Sequence, residues 1–291
     1  MSEHSEVNQP RRADAHIHLF EGGFLDESLN QHPRMHIDES VYYSALMKSF
    51  GVEAALVVGY AGDAWCKTNN TFLADQVRDH TWVRPTAYVD LDEWPTVEKL
   101  ERWEKQGFVG VSMYVFDDQA AAALQCTPAS AWEWFIQRRW LVSVNSRGSY
   151  WSAWRSVLEK HAELRLLISH LGLPPKTSQP QQAAESRRAL ADVLMLGQFP
   201  GPRVKLSGFY AATEPEYDYP HQAAWPYVEA LLAEYGPGRL LWGSDFAPSL
   251  KWISFPQTFG IFSRMPFIDD GQRRQIEGGN LLSLLDQVSA C

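Results

Sequence analysis

Three short polar motifs lie far apart in the chain: Asp14-Ala15-His16-Ile17-His18, Ser169-His170-Leu171-Gly172 and Gly243-Ser244-Asp245. Two histidines that are two residues apart on a strand point to the same face, so their imidazoles can converge on one metal ion or one substrate oxygen. A carboxylate at the end of a buried strand is costly unless a cation, a hydrogen-bond network or a catalytic demand keeps it there. These residue types indicate hydrolysis. Asp245 would take a proton from water while the histidines, or a metal that they hold, polarise a carbonyl group.

Each motif also has a purely structural interpretation. His16 and His18 could be a hydrogen-bonded core pair, and Asp245 could cap the loop that follows it. What favours function is position, because all the motifs fall at the carboxyl ends of predicted strands, where loops build active sites in one common fold class.

That fold class follows from the pattern of apolar segments. Eight short segments rich in Val, Ile, Leu and aromatic residues predict strands, and segments with helical character follow them. The predicted strands are Ala13–Leu19, Ala54–Tyr60, Val83–Val89, Phe108–Val115, Leu141–Asn145, Leu164–His170, Arg203–Phe209 and Arg239–Asp245. The predicted helices are Glu39–Phe50, Thr71–Arg78, Val97–Gln106, Ala129–Arg139, Trp151–His161, Ala183–Gly197, Gln222–Tyr235 and Gly271–Leu285. Apolar strands that alternate with helices indicate a parallel sheet, and eight such units predict an α/β fold, a single-domain (β/α)8 TIM barrel over residues 13–291. Residues 1–12 are predicted to be a flexible tail.

The barrel would bring the candidate residues to one rim. His16 and His18 end strand 1, Asn145 ends strand 5, His170 ends strand 6 and Asp245 ends strand 8. The long segments from Phe20 to Asp38 and from Phe246 to Arg273 are expected to form lids over this rim.

Other polar residues are candidates for substrate binding. Arg147, just after strand 5, could bind a substrate carboxylate with two hydrogen bonds. Tyr114 at the end of strand 4 and Asn145 could orient a substrate. Lys205 on strand 7 either points inward toward the site or balances nearby carboxylates. Weaker cationic candidates are Lys67, Arg84 and Lys251. The remaining histidines are predicted to be surface residues: His4, His32, His36, His80, His161 and His221. Of these, His36 and His221 could reach the mouth of the barrel from long loops.

Composition narrows the class of partner. The chain has 291 residues, a formal net charge of −9 and 45% hydrophobic residues. The negative charge argues against nucleic acid and against an anionic membrane surface as partner, and no apolar segment is long enough to span a bilayer. Three widely spaced cysteines, Cys66, Cys126 and Cys291, indicate neither a disulfide framework nor a thiolate metal site, which favours a cytoplasmic location. The expected partner is a small-molecule substrate, which can be anionic because local basic groups of the protein could bind it. Whether the protein forms a homo-oligomer is left open.

In their order and spacing the motifs resemble those of the amidohydrolase superfamily, closest to its "amidohydrolase 2" group. The resemblance rests on Asp14-x-His16-x-His18, Ser169-His170-Leu171-Gly172, Trp242-Gly243-Ser244-Asp245 and Gly279-Asn280-Leu281. It implies that the catalytic or metal-binding residues are His16, His18, His170 and Asp245. These residues would hold either one divalent cation, with zinc as the leading candidate, or no metal. The chain lacks the strand 4 or strand 5 lysine that bridges two metals elsewhere in the superfamily, so a binuclear site is not expected.

The group includes lactonases that act on pyrone dicarboxylates, muconolactones and sugar-acid lactones, and also metal-dependent decarboxylases. The decarboxylases usually carry a histidine where strand 5 ends, whereas this chain has Asn145. The main hypothesis is therefore hydrolysis of a small carboxylated or sugar-acid lactone. The alternative is decarboxylation of an aromatic or muconate-type acid. A third hypothesis, a barrel without catalytic activity that binds sugar acids or serves as a structural partner, requires that the histidines and Asp245 do not converge.

Overall fold

A computed structural model describes residues 11–24 and 38–288 of the chain. Eight parallel strands form one sheet in sequence order, which confirms the predicted (β/α)8 barrel. The strands are β1 (Arg12–Ile17), β2 (Val52–Val58), β3 (Val83–Tyr88), β4 (Gly110–Val115), β5 (Leu141–Ser146), β6 (Arg165–Ile168), β7 (Arg203–Leu206) and β8 (Leu240–Trp242).

Helices surround the sheet. Those of the described residues are α1 (Glu39–Phe50), α2 (Asn69–Asp79), α3 (Val97–Lys105), α4 (Asp118–Gln125), α5 (Ala129–Arg138), α6 (Ala153–Lys160), α7 (Ala183–Ala189), α8 (Ala191–Leu196), α9 (Trp225–Tyr235), α10 (Phe255–Gly260), α11 (Asp270–Arg274) and α12 (Asn280–Asp286). The predicted end of α1 at Phe50 holds, and Gly51 adopts a left-handed φ of 66° as its C-cap. None of the helices in the described part of the chain is both long and apolar enough to cross a membrane.

The seam between β8 and β1 is closed by residues of the candidate site. The backbone N–H of Asp245 donates to the His16 carbonyl oxygen at 2.8 Å, and the N–H of His18 donates to the Phe246 carbonyl oxygen at 2.6 Å. Ile17 and Phe246 also form an isolated parallel bridge. Barrel closure and the placement of His16, His18 and Asp245 therefore depend on the same backbone contacts.

Apolar packing fixes the sheet from both sides. Many of the tryptophans belong to this packing, and Trp132, Trp140 and Trp154 are buried in the hydrophobic core. A separate group of strand residues, which includes Leu56, Leu141, Leu167 and Leu241, packs with Leu281 and Leu284 of α12. The C-terminal helix thus covers one end of the barrel and leaves the end with the polar motifs available.

Some predicted boundaries were wrong. The chain forms α4 from Asp118 to Gln125, which was not predicted; Asp117 caps it by accepting from the Ala120 N–H at 2.8 Å. The predicted helix Ala183–Gly197 is two helices that meet at Leu190. The predicted lid from Phe246 to Arg273 is largely short helical turns, whereas the one from Phe20 to Asp38 lies mostly outside the described residues, as do residues 1–10 of the predicted tail.

Candidate active site

The candidate residues meet at the carboxyl end of the barrel. His16 lies in β1, and His18 follows that strand directly. His170 and Asp245 lie two and three residues beyond β6 and β8, where the backbone turns into the left-handed region, with φ of 53° and 57°. Such a conformation is uncommon for residues other than glycine, and it turns these side chains out of the strand direction. This is why the predicted strands 6 and 8 extended too far.

A line of hydrogen bonds orders the first two histidines. His18 Nδ1 lies 2.8 Å from the Val58 carbonyl oxygen, an acceptor, so His18 carries its proton on Nδ1 and presents a lone pair at Nε2. The Nε2 atoms of His16 and His18 are 3.1 Å apart, and His16 Nδ1 lies 3.2 Å from Lys205 Nζ. A charged Lys205 donates to His16 Nδ1, which assigns the His16 proton to Nε2. Both ends of the line thus agree on one arrangement of protons.

Asp245 faces all three histidines. Its Oδ1 lies 3.7 Å from His16 Nε2 and 4.0 Å from His18 Nε2, and its Oδ2 lies 3.9 Å from His170 Nδ1. The Tyr210 hydroxyl donates to Oδ2 at 2.6 Å. The carboxylate is buried, with one oxygen held by Tyr210 and the other directed at His16 and His18.

His170 is anchored separately. Its Nδ1 lies 3.0 Å from the Ser207 hydroxyl, just beyond β7. Gly208 follows with a left-handed φ of 62°, and a Cβ at this position would lie 2.6 Å from His170 Nδ1. Only glycine therefore lets the chain pass so close to this imidazole.

Burial decides the charge of the imidazoles. It lowers the pKa of His18 to about 4 and the pKa of His16 well below its usual range, with the Lys205 charge adding to the effect on His16. Burial also lowers the pKa of His170. All three imidazoles are accordingly neutral near pH 7, and each offers one N–H and one lone pair.

Lys205 points into this centre, which supports the inward interpretation of the sequence. Its side chain is fully buried, and its ammonium donates to the Ser143 hydroxyl at 2.6 Å. Burial lowers its pKa to about 7, although the negative charges of Asp245 and Asp14 act in the opposite direction. The protonated form of Lys205 thus places a positive charge beside His16, and this charge is lost as the pH rises through about 7.

Asp14 braces the backbone. One carboxylate oxygen accepts the backbone N–H groups of His16 and Ser244, at 3.1 and 2.8 Å, and the other accepts the Tyr43 hydroxyl at 2.8 Å. Burial raises its pKa to about 6. Asp14 therefore joins β1, the segment after β8 and α1 beneath the reactive groups.

The donors suit a divalent cation in type and spacing. Potential ligand atoms of His16, His170 and Asp245 all lie within 4.8 Å of one another. Two ligands of one tetrahedral zinc ion stand about 3.4 Å apart, near the 3.7 Å between His16 Nε2 and Asp245 Oδ1. His18 lies outside that group of three, but its Nδ1 on a carbonyl is the usual outer contact of a metal-binding histidine. Lys205 departs from this pattern, because a charged lysine donates to His16 Nδ1 where an acceptor is usual.

A cavity of about 320 Å³ opens beside His18. Two of the three predicted substrate-binding residues, Tyr114 and Asn145, line it, and its other lining residues are mostly aromatic: Phe20, Phe24, Tyr60, Tyr88, Phe116 and Pro248. Arg147 does not line this cavity. It lines a second cavity of about 510 Å³, which shares Phe116 with the first.

The remaining predicted cations and histidines lie elsewhere. Lys67 and Arg84 hydrogen-bond to the carbonyl oxygens of Gly62 and Thr81, and neither lines the cavity beside His18, nor does Lys251. The surface prediction was wrong for His221, which is buried with Nδ1 2.8 Å from the Thr213 hydroxyl. His80 and His161 are partly exposed, and His4, His32 and His36 lie outside the described residues.

Sequence reasoning missed three hydroxyl groups that hold the site. Tyr210 and Ser207 follow β7 and contact Asp245 and His170, and Ser143 on β5 contacts Lys205. The rule that polar residues after a barrel strand face the active site could have found Ser207 and Tyr210. Ser143 lies within an apolar strand and gave no such signal.

With this geometry established, comparison with known proteins assigns the class. The amidohydrolase family model matches residues 13–285, so the chain belongs to the amidohydrolase family and is an enzyme of that superfamily. No curated protein matches the chain by sequence.

Solved structures share the fold at low sequence identity. An amidohydrolase from Burkholderia multivorans with bound zinc has a TM-score of 0.76 and 17% identity, over 95% of this chain and 99% of the other. A probable 2-pyrone-4,6-dicarboxylic acid hydrolase from Acinetobacter baumannii with citric acid bound has a TM-score of 0.70 and 16% identity, over 95% and 99%. A 2,6-dihydroxybenzoate decarboxylase from Rhizobium has a TM-score of 0.60 and 13% identity, over 95% and 98%.

Proposed function

We propose that this enzyme hydrolyses a small lactone, with Asp245 as general base. The observation that carries the proposal is the asymmetric environment of the Asp245 carboxylate. Tyr210 holds Oδ2 at 2.6 Å, while Oδ1 faces His16 Nε2 at 3.7 Å. A carboxylate oxygen without a close donor, beside neutral imidazoles, can accept a proton from water.

The reaction follows from the assigned protons. Asp245 takes a proton from water as the water oxygen bonds to the lactone carbonyl carbon. Negative charge develops on the carbonyl oxygen, and the Nε2–H of His16 can donate to it. When the Ser207 hydroxyl donates to His170 Nδ1, the His170 proton is on Nε2, and this second N–H can donate in the same way. The ring C–O bond then breaks, and Asp245 returns its proton to the departing oxygen.

His18 and Lys205 support His16. His18 accepts from His16 Nε2 before substrate binds, and Lys205 keeps the proton on Nε2. A divalent cation held by His16, His170 and Asp245 would displace the proton from His16 Nε2 and, when bound, would supply positive charge to the carbonyl oxygen. Tyr114 and Asn145, which line the cavity, would orient the ring.

A decarboxylase is the second candidate, because the aromatic wall of the cavity suits an aromatic acid as well as a lactone. The two reactions differ in their products. Lactone hydrolysis near neutral pH releases a proton as the new carboxylic acid ionises, whereas decarboxylation of a carboxylate consumes a proton and releases carbon dioxide.

The test is a panel of neutral and carboxylated lactones and aromatic acids, assayed for proton release and for carbon dioxide. We expect proton release with at least one lactone and no carbon dioxide from any acid. Parallel assays with a chelator separate the two sources of charge: retained activity assigns the oxyanion to the protein's N–H groups, and loss reversed by zinc assigns it to a cation. Carbon dioxide release without lactone hydrolysis would replace the proposal by the decarboxylase.

A further inference from the structure

We infer that the substrate has two parts: a flat, uncharged ring in the cavity beside His18, and a carboxylate on a short tail that reaches past Phe116 to Arg147. The inference rests on the proposed function, because it places the ring in the cavity that His18 lines, next to the centre formed by Asp245 and the histidines. It is carried by the chemistry of two neighbouring cavities, and the first of these determines what kind of ring can bind.

The wall of the first cavity is a connected set of aromatic rings. The ring centroids of Tyr60 and Tyr114 are 4.8 Å apart, those of Tyr60 and Tyr88 are 5.6 Å apart, and Tyr114 and Phe116 are 6.5 Å apart. On the other side, Phe20 lies nearly parallel to His18 at 6.0 Å. Such walls favour flat groups that stack on ring faces or meet ring edges. A volume of about 320 Å³ is roughly twice that of an engineered cavity that binds benzene, so one or two rings fit.

The same wall is poor at holding charge. None of the described residues that line it is Asp, Glu, Lys or Arg. Burial raises the pKa of Tyr114, so its hydroxyl stays uncharged near pH 7. A carboxylate attached directly to the ring would be desolvated here without a counter-ion.

One residue that lines the first cavity, Asn145, has a side-chain oxygen without a hydrogen-bond partner among the described residues. Asn145 Oδ1 is buried and accepts no hydrogen bond within the described part of the chain. A hydroxyl or N–H on the bound ring would satisfy it at little cost, whereas an apolar edge would leave it unpaired. The ring is therefore uncharged but carries a polar group.

The second cavity supplies the missing charge. Phe116 lines both cavities, and the Arg147 guanidinium carbon lies 5.8 Å from the Phe116 ring centroid. Arg147 is exposed, and no acidic side chain of residues 11–24 or 38–288 pairs with it. Lys176, the other cation of this cavity, is already paired with Glu216 at 2.5 Å. Arg147 is thus the group that can take a ligand carboxylate, with two parallel hydrogen bonds.

The two cavities together give a rule of selection. A charge on the ring is rejected, and a charge one short tail away from the ring is accepted. This separates the chain from the structural neighbours whose names or ligands carry carboxylates on a compact core, a pyrone dicarboxylic acid and citric acid.

The experiment measures binding independently of turnover. Calorimetric titration of the Asp245→Asn variant compares 3-phenylpropanoate, which has a ring and a carboxylate tail, with its neutral amide and with citrate. We expect 3-phenylpropanoate to bind about tenfold more tightly than the amide, as one charge-assisted contact would give, and citrate to bind more weakly than either. Arg147→Gln should remove the difference between 3-phenylpropanoate and the amide. Arg155→Gln, a control on α6 paired with Glu159, should preserve it.

Turnover supplies the second arm. The wild-type enzyme is assayed with three lactones: 3,4-dihydrocoumarin, a derivative of it whose ring carries a carboxyalkyl tail, and 2-pyrone-4,6-dicarboxylate. We expect the tail derivative to have the highest kcat/KM and the pyrone dicarboxylate the lowest. If no lactone is hydrolysed while the binding pattern holds, the proposed function fails and the two-part pocket stands. Tighter binding of citrate, no binding of 3-phenylpropanoate at millimolar concentration, or an Arg147→Gln variant that keeps the preference would each overturn the two-part pocket.

Discussion

The reactive centre and the cavity beside it are built on opposite principles. In the centre, Asp14, Asp245 and Lys205 are buried charges, and hydrogen bonds of 2.6 to 3.2 Å hold each of them. In the cavity, aromatic rings dominate, no described lining side chain carries a charge, and the Asn145 oxygen lacks a donor. Under the proposed function, the groups that must be fixed before substrate arrives are already satisfied by the protein, whereas the groups that would meet the substrate are left open to it. Chemistry and selectivity are thus separable, and substitutions should affect one or the other.

The largest effect is expected from Asp245→Asn. The amide keeps the shape and an oxygen for Tyr210, but it cannot accept a proton from water, so kcat should fall by about 10²- to 10⁴-fold with little change in KM. Steady-state kinetics with the preferred lactone check this, and circular dichroism checks the fold. A variant within tenfold of wild-type kcat would remove Asp245 from the role of base.

Lys205→Met should come next. It deletes the donor to His16 Nδ1 without emptying the space, and we expect kcat to fall about 10- to 100-fold, as for other partners that orient a reactive histidine. Because burial lowers the pKa of Lys205 to about 7, kcat/KM of the wild-type enzyme should fall as the pH rises through 7, and the variant should lack this alkaline limb, which a merely structural residue would not cause. Lys176→Met, at the ion pair with Glu216, is the matched control. Equal kinetics for the two variants would contradict the assigned role.

Gly243→Ala tests how tightly the centre is packed. The added Cβ would lie 2.8 Å from His16 Cβ and 3.0 Å from Ser207 Cβ, so the histidine strand must move. We expect a loss of about 1–3 kcal/mol in the free energy of unfolding together with reduced kcat. Gly238→Ala, where nothing lies within 4 Å, serves as control. Denaturant unfolding and kinetics are measured on both, and similar values for both would show that the centre tolerates displacement.

Phe116→Ala should act on selectivity. Loss of the ring that both cavities share removes stacking surface, so KM should rise about tenfold while kcat changes less. Tyr217→Ala, an exposed ring outside both cavities, should change neither constant. A fall in kcat with constant KM would instead place Phe116 with the reactive centre.

The smallest effect concerns His221, which lies outside both regions. Burial lowers its pKa from 6.5 to about 4, so the unfolded chain binds a proton that the folded chain rejects between these pH values. Stability contributed by the neutral form is therefore present above pH 6.5 and is lost as the pH falls toward 4, by up to about 1.4 kcal/mol per pH unit. Asn at position 221 suits the left-handed φ of 56° and can still meet Thr213. His221→Asn should flatten the loss of stability between pH 6.5 and 4, measured by denaturant unfolding, and an unchanged slope would contradict this.

The sequence was informative about groups that repeat along the chain and less so about groups whose partners are distant. Alternating apolar segments predicted the barrel, and strand ends predicted that His16, His18, His170 and Asp245 converge. The predicted strands extended to His170 and Asp245, beyond the true ends at Ile168 and Trp242, because a left-handed turn leaves no mark in the residue type.

Arg147 shows a different limit. Its position after β5 suggested contact with the substrate, but whether it belongs to the first or the second cavity depends on how Phe116 separates them. His221 likewise follows a proline-rich segment that is typical of a surface loop, yet packing against Phe209 buries it. Both depend on contacts between loops, which the spacing of residues in one segment does not encode.

The seam where the last strand meets the first has a consequence for the life cycle of the enzyme. The backbone N–H groups of Asp245 and His18 donate the hydrogen bonds that join the two ends of the sheet. In an open form of the barrel the residues of the candidate site would therefore be separated as well. Nascent or damaged chains in which β1 and β8 have not paired should therefore be inactive, rather than weakly active or active on many substrates. Activity thereby reports on completed folding, and a circular permutation that cuts an exposed turn such as Asp92–Glu93 should be tolerated far better than one that cuts between His16 and His18 or between Asp245 and Phe246.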